Sequence, residues 1–140
     1  LARIARDAGT LAAYVWDYAG RMELMRYFWD AAIAEDQAAA KLDEGERFPL
    51  CRPEPLQALF TGAGLADVQV RPIDVPTRFR DFDDYWRPFT TAVAPAPGYA
   101  SSLPEARRDA LLERLRSTLP IRPDGSIDLV ARAWAVRGTS

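Results

Sequence analysis

With no histidine and one cysteine, Cys51, the chain is left with Asp, Glu, Tyr and Arg for chemistry. Catalytic zinc sites, Ser-His-Asp triads and Cys-His pairs are therefore excluded within one chain. Cys51 stands beside Arg52, and an adjacent cation lowers a thiol pKa. A spare cysteine is the commoner reading of such a pair. Asp81, Asp83 and Asp84 supply three carboxylates, but without the spaced ligands and glycine of a calcium loop. They fit the first turn of a helix, where the dipole favours acids. Two apolar groups remain: Met22, Met25, Phe28 and Trp29, and then Tyr85, Trp86 and Phe89. Stripes at this spacing are usually core; their aromatic content also suits an apolar small molecule. Asp17 and Tyr18 close the first apolar run, as a strand stop and helix cap would.

These residues depend on the elements that carry them. Leu1–Arg6 reads as the end of a helix, stopped at Asp7-Ala8-Gly9 with glycine as the left-handed cap. Thr10–Trp16 is an apolar run of strand length, continuous enough to be covered on both faces. A helix over Arg21 to about Ala34 follows, with Met22, Met25, Trp29, Ala32 and Ile33 on one stripe. A short helix is predicted over Gln37–Leu42, and Asp43–Arg47 reads as a solvated turn. Pro53 and Pro55 open a helix carrying Leu56, Leu59 and Phe60, which stops at Gly62 or Gly64.

Asp67–Val75 reads as a strand whose apolar parity switches at Pro72, suggesting a bulge or an edge position. A helix is predicted over Asp81–Phe89 and a loop over Ala92–Ala100, which holds two prolines and a glycine. Ser102-Leu-Pro-Glu105 has the form of a capping box ahead of a helix carrying Leu111, Leu112, Leu115 and Leu119. A turn at Pro123–Ser126 leads into a final strand, Ile127–Val136. The order is α/β, in a single domain of 1–140.

The composition is that of an ordinary globular domain: 49% of the 140 residues are hydrophobic and 27% charged. A net charge of −2 gives no broad attraction for phosphate backbones, so no nucleic-acid partner is expected. No apolar run approaches the ~20 residues that span a bilayer, and no signal peptide opens the chain. A cytoplasmic protein without a membrane partner is expected. The first residue is Leu and not Met, as in a fragment or a trimmed chain.

Three stretches resemble the C-terminal part of the class I S-adenosylmethionine-dependent methyltransferases. Arg3–Asp17 resembles the helix, Gly-containing turn and fifth strand of that fold, with Asp7-Ala8 in place of the usual Pro-Gly. Pro55–Arg71 resembles the later helix, its Ala-Gly-Leu stop and the sixth strand. Ile127–Val136 fits the seventh strand. Tyr14–Tyr18 and Asp81–Phe89 are similar to stretches in bacterial small-molecule members.

The resemblance implies the C-terminal half of a Rossmann-like fold. Its sheet would have three strands in the order first, last, second, the last antiparallel to both, with helices packed on it. Segments 20–50 and 80–122 would be helical insertions forming a substrate lid. It places Asp17 and Tyr18 on the substrate side, with Asp17 a candidate base. Tyr18, Met22, Met25, Trp29, Tyr85, Trp86 and Phe89 would line the substrate.

The family holds S-adenosylmethionine on a Gly-rich turn after a strand, at the switch point of the sheet. Here Gly62-Ala-Gly64 follows a helix, so no cofactor is expected on this chain alone. The alternative is a non-enzymatic dimerisation or small-ligand module. Thr10–Trp16 would then be an exposed apolar edge through which a homodimer pairs.

Overall fold

A computed structural model of the chain describes residues 8–91 and 93–140. The predicted helix end at Leu1–Arg6 lies outside the described residues. The elements are β1 (Thr10–Trp16), α1 (Glu23–Glu35), a 3₁₀ turn (Gln37–Lys41), α2 (Glu44–Arg47), α3 (Pro53–Gly62), β2 (Ala66–Phe79), α4 (Phe82–Trp86), α5 (Pro88–Thr91), α6 (Pro95–Ser102), α7 (Glu105–Thr118) and β3 (Ile127–Thr139). The strand order is β1–β3–β2, and β3 is antiparallel to both neighbours. The α/β class and the central, antiparallel last strand are as the sequence implies.

Directly opposed residues in an antiparallel pair share a face, so the register sorts the sheet. One face carries Tyr14, Ala135 and Arg71 in one row and Trp16, Ala133 and Ile73 in the next. Further along lie Leu129 opposite Thr77 and Ile127 opposite Phe79. The other face carries Ala13, Val136 and Val70. Helix α3 packs on β2 and β3 and buries Leu56, with Leu65 and Val136 also buried.

The main core lies on the first face. Phe79, Ile127 and Leu129 of the sheet join Phe28, Trp29 and Ala32 of α1. Tyr85, Phe89, Leu111 and Leu115 from the later helices complete it. Phe28 stacks on Phe89 with centroids 4.5 Å apart and meets Trp29 edge-on at 5.1 Å. Such ring pairs contribute about 1 kcal/mol beyond their buried area.

Six local expectations change. Thr10–Trp16, expected to be covered on both faces, is an edge strand with Tyr14 70% exposed, because it pairs with β3 alone among the described residues. Ala8, and not Gly9, takes the left-handed conformation before β1, at φ 58°. β2 runs on to Phe79; its register shift falls between Ala66 and Gln69, where Asp67 has φ 50°. Pro72 sits in an edge strand, where its missing N–H costs no ladder bond on the open side. The predicted loop over Ala92–Ala100 contains helix α6, since Pro95 and Pro97 fall in the first turn, whose N–H groups have no helical partner. Ser102 ends α6 and donates to the Tyr99 carbonyl (2.7 Å), so Pro104 is the residue before α7 and no capping box forms. Finally, Asp81–Phe89 is broken at Arg87 into α4 and α5, with Asp81 as the cap accepting from the Asp84 amide (2.8 Å).

Candidate functional site at the carboxyl end of the first strand

β1 ends at Trp16, and Asp17 turns the chain toward α1. The Asp17 amide donates to the Arg132 carbonyl (2.9 Å), and its carboxylate accepts from the Arg21 amide (2.9 Å). Asp17 is buried. A Cβ on Gly20 would lie 2.5 Å from Asp17 Oδ2, so the turn closes only around glycine. Met22 precedes α1 rather than joining its stripe, and its backbone bridges to Ala131.

Tyr18 lies half-buried with its ring 6.0 Å from that of Phe48. Burial first, then the negative charges of Glu44 and Cys51, push its phenol above the usual tyrosine range. At neutral pH it is a hydrogen-bond donor.

Around this turn sits a network built on α1 and α2. Arg26 bonds both oxygens of Asp43 (3.2 and 2.7 Å), the Tyr18 carbonyl (3.1 Å) and Asp30 (2.9 Å). Burial acts against its charge, yet the bonds and charge of Asp43 outweigh it and hold the guanidinium above its usual range. Asp43 also caps α2 by accepting from the Gly45 amide (2.8 Å), and Glu44 accepts from the Trp29 indole N–H. Asp43 is 3% exposed and Glu44 5%. The predicted solvated turn is thus buried at Asp43 and Glu44 and exposed at Glu46 and Arg47: from α1, Arg26 neutralises Asp43 and the Trp29 indole N–H satisfies Glu44. A Cβ on Gly45 would sit 2.9 Å from the Arg26 guanidinium and 3.1 Å from the Tyr18 carbonyl, so α2 can approach only with glycine there.

Cys51 is half-buried beside this network. Burial, then the charge of Asp17, raises its thiol pKa. The lowered thiol suggested by Arg52 is overturned: the Arg52 guanidinium turns to the Gly45 carbonyl (3.1 Å) and Glu46 (3.6 Å). Arg52 Nε is buried without a partner.

The structure separates the other sequence candidates. Asp17, Tyr18 and Met22 gather at the end of β1, and Met25 packs against the core from α1. Trp29, Tyr85 and Phe89 are buried in the aromatic cluster. The Tyr85 hydroxyl donates to the Leu24 carbonyl (3.1 Å), and burial drives its phenol pKa far up. Trp86 is half-buried and lines a cleft with Phe89, Thr90, Ala100 and Arg108. Asp81 and Asp84 are engaged in capping and with Arg80. Among the described residues no three His, Cys, Asp or Glu side chains converge on a metal-sized site.

Periodicity singles out neither Arg26, Asp43 nor Glu44. The one local signal is Asp43 three residues ahead of Glu46, which marks a helix start but not its burial.

Gly64 (φ 82°) ends α3, and the space about Gly62 and Gly64 is open, so they form a helix stop and no cradle. Among the described residues no helix is long and apolar enough to cross a membrane. Compared with known proteins, the chain matches no family model and no curated protein.

Proposed function

We propose that the chain is the substrate-side, sheet-closing portion of a class I S-adenosylmethionine-dependent methyltransferase acting on a small molecule. One observation carries this reading: the last strand lies between the other two and antiparallel to both. An unrelated three-stranded α/β fold has no need of that order. The open end of β1 supports it further, since ligands of open α/β sheets bind beyond the carboxyl ends of strands. Tyr18, Met22 and Met25 would line the acceptor there, with Asp17 taking its proton. Methyl transfer asks mainly for alignment, so one carboxylate and a phenol donor are enough.

The test is transfer of radiolabelled methyl from S-adenosylmethionine by the natural gene product, alongside calorimetry of the 140-residue chain with the cofactor. The reading expects a longer product with activity, and a chain that shows no saturable cofactor binding. Saturable binding by the chain, or a full-length product without transfer, overturns it.

A second reading is favoured by the edge of the sheet. Among the described residues β1 pairs with β3 alone, and Tyr14 is 70% exposed. A non-enzymatic module that pairs two copies along Thr10–Trp16 about a two-fold would close this edge into a six-stranded sheet. Light scattering decides: a monodisperse monomer rejects it.

A further inference from the structure

Among the described residues, half of one sheet face is left without a cover. Beyond the row of Trp16, Ala133 and Ile73, the strands present Tyr14, Ala12, Ala135, Arg71, Arg137 and Gln69 on the face that carries α1 elsewhere. These residues line a shallow depression of about 330 Å³ whose floor is apolar. Tyr14 is 70% exposed and Ile73 48%.

The rim is cationic. The Arg71 guanidinium makes no ion pair or hydrogen bond among the described residues, and that of Arg137 bonds only the Gln69 amide oxygen (3.1 Å). Asp67 shares a neighbouring depression with Arg137 but forms no ion pair with it. Other arginines of the same strands are neutralised: Arg132 by Asp74, Arg78 by Asp124 and Asp128. In a chain of net charge −2, two unneutralised guanidiniums flanking an apolar floor stand out.

We propose that this half-face seats an amphipathic helix of another polypeptide, its apolar stripe on Tyr14, Ile73 and Ala135 and its flanking carboxylates on Arg71 and Arg137. The dimensions suit it. The uncovered stretch is about five residues along each strand, roughly 16 Å, and three strands span about 10–14 Å. A helix with its side chains is about 10 Å across, and α1 already packs on the adjoining half of the face.

Charge selects the occupant. Two copies meeting face to face would bring four guanidiniums into one interface with no carboxylate opposite, at a cost of several kcal/mol for like charges. Pairing along the β1 edge leaves this face open. A small molecule is usually enclosed over most of its surface, which a shallow saucer does not offer. Acidic flanks on a helix answer both the floor and the rim.

The probe is a fluorescein-labelled helical peptide of about 15 residues, with leucines on one stripe and glutamates on both flanks. A control carries lysine for glutamate. Each is titrated against the full 140-residue chain by anisotropy. The Glu peptide should saturate and the Lys peptide bind at least tenfold more weakly. Arg71→Glu with Arg137→Glu should reverse that preference, and Ile73→Asp should abolish binding of both. All three positions are exposed, so circular dichroism and melting of the variants should match the parent.

The proposal is overturned if the Glu peptide fails to saturate at millimolar concentration, or if both peptides bind alike. It is also overturned if charge reversal leaves the preference intact. Displacement of the peptide by stoichiometric dodecanoate would make this a fatty-carboxylate site instead. Self-association lost in Ile73→Asp would give the face to a second copy.

Discussion

The two ends of one sheet face differ more than their sequences do. At one end Ile127 and Leu129 are 0% and 3% exposed beneath α1 and the later helices. At the other, residues of the two flanking strands on the same face, Tyr14 of β1 and Ile73 of β2, stand 70% and 48% exposed. The covered end carries Phe79, Ile127 and Leu129, and the open end Tyr14 and Ile73 among alanines and arginines. What differs is whether a second layer covers them. Burial is a property of the packing partner, and only the covered end stabilises the fold through the area it removes from water.

Truncation should separate the ends most clearly. Phe28→Ala removes a fully buried ring that stacks on Phe89 and packs against Trp29, and should cost about 4 kcal/mol. Tyr14→Ala should stay within about 0.5 kcal/mol. Urea unfolding of both variants checks this. A Tyr14→Ala loss near that of Phe28→Ala would show the open end to be covered in solution.

The polar network beside the covered end should come next. Asp43→Ala leaves Arg26, whose side chain is 19% exposed against 4% for Asp43, with only the exposed Asp30 and the Tyr18 carbonyl as partners, and should cost about 2 kcal/mol. Removing Arg26 as well, as Arg26→Met with Asp43→Leu, should cost less than the two single changes summed, since neither charge is then left alone. Additive losses would mean that the pair is solvated. Gly20→Ala drives a methyl to within 2.5 Å of the Asp17 carboxylate, and overpacking of this kind costs about 1–2 kcal/mol.

How much of this was legible follows from the range of each signal. The strands, α1, α3 and α7 announce themselves by local periodicity, with boundaries moved by a few residues. The placement of the last strand came through resemblance, since nothing in Ile127–Val136 states which neighbours it takes. Helix α6 was hidden because Pro95, Pro97 and Gly98 carry the same letters as a loop, and only first-turn placement makes the prolines harmless. Asp43 and Glu44 read as solvated because acids usually are. Their partners, Arg26 and Trp29, stand 17 and 15 residues earlier, too far for any window to pair them. Of the candidate site, Asp17 and Tyr18 were legible as the end of a strand; Met22 was read into the helix stripe it in fact precedes, and the network that holds them was not legible.

Thiol chemistry gives a smaller effect. Burial and Asp17 raise the Cys51 pKa, so iodoacetamide at pH 8 should alkylate Cys51 more slowly than free cysteine. Asp17→Asn should speed the reaction severalfold by removing the nearby charge. A rate equal to that of free cysteine would place Cys51 in solvent.

The smallest effect distinguishes the rims of the two ends. Arg80 bonds Asp84 at the start of α4, beside the covered end, and holds its carboxyl at about 2, below the ordinary 3.8. A depressed carboxylate stabilises the fold above its unfolded pKa and loses that contribution as pH falls through the folded one. The window therefore runs from about pH 4 down to about pH 2. Above it, Asp84 is ionised in both states and its contribution is full and constant. The open end has no such pair, because Arg71 and Arg137 hold no carboxylate among the described residues. In a carboxyl and amide NMR titration, Asp84 should move with a midpoint near 2 and carry the Asp81 and Tyr85 amides with it. The amides of Ala12 and Ala135 should stay flat through the same window. If they move together with Asp84, the two ends are coupled and the open half-face is not an independent surface; if Asp84 titrates near 4, the ion pair at the covered rim does not form in solution.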